Sequence, residues 1–120
     1  MHKIHEFEMP MLPPSVNAMY HRTQHGGVMK SPKVEEFEKV AMMYVPQRRD
    51  PITDPCKLTL VFTFERPANL KRRDVDNMLK VTIDLLSSFR FVEDDNLIYE
   101  ITATKKAGDA DSITGFFEIL

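Results

Sequence analysis

Between Arg72 and Lys80 the chain reads Arg-Arg-Asp-Val-Asp-Asn-Met-Leu-Lys, and Asp94-Asp95-Asn96 follows downstream. Carboxylates two positions apart, an amide and an ammonium four residues beyond Asp76 are the groups that metal-assisted phosphodiester cleavage uses. If the acids converge, their hard oxygens suit Mg2+, with Mn2+ as a substitute, because such an ion is held by a few carboxylates plus substrate phosphate. The ion would polarise a phosphoryl oxygen and lower the pKa of an attacking water, while Lys80 neutralised charge on the phosphorus. No His or Cys pair has zinc spacing. A calcium loop starting at Asp74 would want Gly and Glu where Leu79 and Leu85 stand. An Asp-x-Asp phosphotransferase nucleophile normally follows a buried apolar strand, yet Lys71-Arg72-Arg73 precedes Asp74.

The elements that carry these groups decide whether they meet. Val75, Met78, Leu79, Thr82, Ile83, Leu86 and Phe89 fall on one side of a helix predicted over Val75 to Phe89. Asp76, Lys80 and Asp84 then form an exposed stripe, four residues apart. Asp74 sits at about the N-cap, and Asp94-Asp95 in the link to the next strand. Such a helix is roughly 20 Å long. Asp95 joins Asp74 only if the residues after Arg90 return extended, at about 3.3 Å per residue. Each group also has a structural reading: Asp74 as a cap, Asp76 and Lys80 as an i,i+4 ion pair, Asp94-Asp95-Asn96 as turn chemistry.

Around this helix, Lys3 to Met9 reads as a strand ended by Pro10, and Pro13-Pro14-Ser15 as an irregular loop. From Tyr20 to Met29 the chain is polar, with His21, His25 and a Gly26-Gly27 pair suited to a turn or hairpin tip over a ligand. Ser31-Pro32 has the form of a helix start, Val34, Phe37, Ala41 and Tyr44 follow at helical spacing, and Pro46 closes it. From Cys56 to Glu65 apolar and polar residues alternate, interrupted only by Val61, which predicts a half-buried strand. Leu97, Tyr99, Ile101 and Ala103 alternate as another, and Ile113 to Leu120 forms the last. The order predicts an α+β two-layer sandwich, a mixed sheet of about four strands with two packed helices, in one domain over residues 1–120.

Composition sets the remaining bounds. The 120 residues are 42% hydrophobic and 28% charged, ordinary for a globular protein, with no apolar run long enough to span a membrane. The first residues carry acids and lack a secretory pattern, which predicts a cytoplasmic location. The one cysteine, Cys56, precedes an apolar alternation and reads as buried. A net charge of −2 leaves attraction to phosphates to local clusters. These are Arg66 with Lys71, Arg72 and Arg73, and separately Lys105-Lys106. The first adjoins the acids and reads as DNA-binding, anchoring backbone phosphates.

Leu12-Pro13-Pro14-Ser15-Val16-Asn17 with Tyr20, Arg66-Pro67, Arg73 to Lys80, Asp84 and Asp94-Asp95 resemble, in order and spacing, the RusA family of Holliday-junction resolvases. The resemblance covers nearly the whole chain. It implies a homodimeric Mg2+-dependent endonuclease, often phage-encoded, that nicks opposed strands of a four-way junction. It places the three catalytic, metal-holding carboxylates on Asp74, Asp76 and Asp95, and the catalytic lysine on Lys80. Two other readings stay open: a metal-dependent nuclease for other branched DNA, and a non-catalytic junction-binding protein in which the acids are caps and ion pairs.

Overall fold

The computed structural model describes residues 2–14, 20–22, 28–30 and 32–120. Its elements are β1 (Ile4–Met9), β2 (Tyr20–Arg22), β3 (Val28–Lys30), α1 (Pro32–Met42), β4 (Cys56–Phe64), α2 (Pro67–Arg72), α3 (Val75–Ser88), a 3-10 turn (Asp95–Leu97), β5 (Ile98–Ala107) and β6 (Ser112–Ile119). The predicted strands and both predicted helices are present in order. Ser31, read as a helix cap, and His25 with the Gly26-Gly27 tip lie outside the described residues. The backbones of β2 and β3 pair antiparallel as a separate hairpin.

The main sheet has the order β1-β6-β4-β5. It is mixed: β4 runs antiparallel to β6 and parallel to β5. A parallel pair cannot be closed by a tight turn, so the chain leaves β4, passes through α2 and α3, and re-enters as β5. β4 shows why the sheet is half-buried. Leu58, Leu60, Phe62 and Phe64 are at most 1% exposed, whereas the intervening Lys57, Thr59, Val61 and Thr63 are partly open. The period of two sends alternate side chains to opposite faces.

Helices cover only the first of these faces. Val34, Phe37 and Ala41 of α1 and Met78, Val81, Leu85 and Leu86 of α3 join the sheet's Phe7, Met9, Ile113 and Phe117 in one core cluster. Burying each such aliphatic or aromatic side chain contributes about 1.5–3 kcal/mol. Thr82, a buried polar residue of α3, satisfies its hydroxyl on the Met78 carbonyl oxygen at 2.8 Å. At Gly115 the layers close most tightly. A Cβ there would come 2.6 Å from the Phe7 ring and 2.7 Å from the Thr59 carbonyl oxygen, so only glycine fits.

Several local expectations need correction. α1 ends at Met42 rather than at Pro46, and Tyr44 is 52% exposed instead of continuing the apolar stripe. The basic segment before Asp74 is a short helix, α2, with Pro67 in its first turn. On α3, Val81 and Leu85 are buried while Val75, Leu79 and Ile83 stay partly exposed, so the apolar stripe is rotated from the predicted one. Among the described residues no helix is long and apolar enough to cross a membrane.

Candidate active site

The N-terminal turn of α3 presents the predicted chemistry. Asp74 is the N-cap residue, with extended backbone at φ −84° and ψ 138°, yet its side chain makes no capping hydrogen bond. Its Oδ2 accepts only a long contact from Asn77 Nδ2, at 3.5 Å. Asp76 lies in the first helical turn, where the helix macrodipole places partial positive charge. Both carboxylates are exposed. Lys80 leans away from Asp76 toward the next turn and meets Asp84 Oδ2 at 3.7 Å. A pair this exposed contributes little to stability, so the ammonium is held near the acids without being locked there.

What fixes this turn lies underneath it. Lys105, on β5, donates from Nζ to the carbonyl oxygens of Leu70 at 2.5 Å and Arg73 at 2.9 Å. It thereby ties the end of α2 and the residue before Asp74 to the sheet. Arg73 is half-buried, and its Nη2 donates to the Pro13 carbonyl oxygen at 2.6 Å, anchoring the Leu12-Pro13-Pro14 loop to the same junction. Burial pulls the guanidinium below its usual pKa, and nearby Asp111 works in the opposite direction. Asp111 also accepts from the Glu65 backbone N–H at 2.9 Å, joining the β5–β6 connection to the end of β4.

Of the four cations read as DNA-binding, Arg66, Lys71 and Arg72 are exposed beside the acids, and Arg73 is engaged with Pro13. Lys105 and Asp111 were not foreseen as supports of the site. Lys105 shares strand parity with Ala103, and that pattern was its available signal.

Asp95 is placed elsewhere. After α3 the chain does not double back along the helix. Phe91 and Val92 are buried, and Ile52 donates to the Phe91 carbonyl oxygen while Glu93 donates to that of Ile52. The chain then forms the Asp95–Leu97 turn, in which Asp94 Oδ1 accepts from the Asn96 N–H at 3.0 Å. Cys56, at the start of β4, reaches the Leu97 carbonyl oxygen at 3.5 Å. Asp95 thus stands before the first residue of β5, whereas Arg73 is held by Lys105 near its end. Seven residues of strand, about 23 Å, separate Ile98 from Lys105. Consistently, among the described residues no three His, Cys, Asp or Glu side chains form a metal-binding group.

Two comparisons bear on this arrangement. The family model described as Endodeoxyribonuclease RusA matches residues 10–114. The Crossover junction endodeoxyribonuclease RusA of Aquifex aeolicus (strain VF5) is 30% identical over 101 residues, which cover 84% of this chain and 79% of that protein.

Proposed function

The chain belongs to the RusA family of endodeoxyribonucleases, and on that basis we propose that it resolves four-way DNA junctions by paired, Mg2+-dependent nicks. The observation that carries this reading is the intact Asp74 to Lys80 motif, displayed on an exposed helical turn with a clamped base, inside the span matched by the family.

The donor set suits a hard divalent ion in kind, since every acid of the motif offers oxygen. Asp74 and Asp76, both exposed around the first turn of α3, would hold it together with a substrate phosphate, which is a sufficient donor pattern for Mg2+. When bound, such an ion supplies Lewis-acid polarisation of the phosphate and a more acidic water. The protein's own part is to position. Lys80 sets an ammonium one turn from Asp76, where it stabilises negative charge developing on the phosphate. Arg66, Lys71 and Arg72 contact backbone phosphates and fix the register of the DNA. Asp95 is the third carboxylate of the motif, and a single chain places it at the far end of β5.

Two symmetric nicks are most simply made by two identical sites about a twofold axis, so the acting species is a homodimer. The test is a labelled synthetic four-way junction, with flaps and linear duplex as companions, incubated with and without Mg2+. Symmetric paired nicks by the parent, and junction binding without nicks by Asp76→Asn, are expected. Mg2+-dependent cutting retained by Asp76→Asn would overturn the site assignment. Equal cutting of all branched substrates would move the reading to a general branched-DNA nuclease.

A further inference from the structure

β5 is a ten-residue edge strand, paired only with β4 among the described residues. An unprotected edge offers a row of backbone donors and acceptors to another strand. This edge also carries apolar surface. Tyr99 and Ile101 point to the helix-covered face but stand beyond the helices, 67% and 43% exposed. A long, apolar, unpaired edge is normally blunted or covered in a native protein.

Charge along the strand says what covers it. Glu93, Asp94, Asp95 and Glu100 gather at its start, while Lys105 and Lys106 lie at its end, near α2 with Lys71 and Arg72. A strand acidic at one end and basic at the other is complementary to itself when reversed. We propose that β5 is the seam of a twofold dimer, two copies pairing their β5 edges antiparallel to continue the sheet, with Glu100 of each opposite Lys106 of the other.

The pleat supports this register. Directly opposed residues must share a face, and Glu100 and Lys106 do, since β4 pairs them with Lys57 and Thr63 on the open side of the sheet. Neither makes an ion pair within the chain among the described residues. The same register sets Ala103 on the axis, where a small side chain permits close approach, and Thr102 against Thr104 of the second copy. It also brings the start of one β5 beside the end of the other. Asp95 of each copy then approaches the α2–α3 junction of its mate, where Asp74 and Asp76 stand. This last consequence rests on the proposed reading of those three acids as one site, whereas the seam itself does not.

The test uses the full chain by sedimentation velocity over a concentration series, with circular dichroism to verify the fold. The parent is expected to be dimeric. Glu100→Lys and Lys106→Glu each set like charges opposite one another twice across the axis, and each weakens the dimer at least about tenfold. Mixed in equal amounts, the two variants regain both opposite-charge pairs and form a heterodimer about as tight as the parent. A monomeric parent, single variants as tight as the parent, or a mixture that stays dissociated would each overturn the seam. Junction cutting by the parent is scored separately. A β5-paired dimer that leaves junctions intact would refute the nuclease reading and not the interface.

Discussion

Lys105 donates to the carbonyl oxygen of Arg73 across 2.9 Å, so the sheet holds the residue immediately before Asp74. The lysine also serves Leu70, and through these two carbonyls it secures the end of α2 where its orphan acceptors would otherwise need water. Replacing it by Met keeps much of the stem and removes both charge-assisted bonds. Lys105→Met is expected to cost about 1–3 kcal/mol in urea denaturation. It should also slow junction cutting on the order of tenfold or more while junction affinity changes little, because a small misplacement of reacting groups is costly. Cutting unchanged in a folded Lys105→Met protein would show that the clamp is not needed to place Asp74.

The separation of Asp95 from Asp74 along β5 has a direct genetic-style test. Asp76→Asn and Asp95→Asn are each expected to be inactive alone. If each site draws Asp74 and Asp76 from one copy and Asp95 from the other, the mixed dimer contains one intact site and one doubly altered site. Co-refolded mixtures should then recover single nicks in junction substrates, at up to roughly a quarter of the parental rate from random mixing and one active site. No recovery is expected if a site is built within one chain, and that outcome would place the third carboxylate differently.

His5 offers a prediction about stability and pH. Its φ of 52° lies in the left-handed region, at the irregular register between Ile4 and Phe7, and its ring packs edge-on to Phe91 at 5.9 Å. Nε2 is buried without a partner among the described residues. Burial first, then the positive charge of Arg48, holds the imidazole below its ordinary pKa, against an opposing pull from Asp50. The unfolded chain, with His near pKa 6.5, therefore takes up the proton more readily than the native state. The contribution is complete above about pH 6.5 and is lost as the pH falls through that value toward the lower folded one. Asn tolerates this backbone conformation. His5→Asn should thus show a shallower fall in stability over that window than the parent when denaturation is followed across pH, and parallel curves would contradict the sign.

Much of the site's scaffold was legible from pattern, and its failures have physical causes. The period of 3.6 from Met78 to Leu86 located α3, and strict alternation located β4, because both elements bury one side over several turns or pleats. α2 escaped because six residues with a single large apolar side chain, Leu70, carry no period. Tyr99 and Ile101 were placed on the correct side but read as covered; alternation reports the face, and only the reach of the helices decides burial there. Lys105 read as a surface charge because its charge outweighed its parity. The route to Asp95 depends on the bridge between Ile52 and Val92, a contact forty residues apart that no local pattern records.

The sheet order has a kinetic side. β6, the last strand to be synthesised, occupies an interior position between β1 and β4, which have no direct pairing with each other. A nascent chain carrying β1, α1, β4, α3 and β5 holds a two-part sheet with an open slot. Closing it requires contacts such as Ile4 with Phe117, which span nearly the whole chain and must await release of residues 112–119 from the ribosome. Until then β4 exposes one edge and β1 both, making the half-made protein most prone to aggregate in the interval before its final strand inserts.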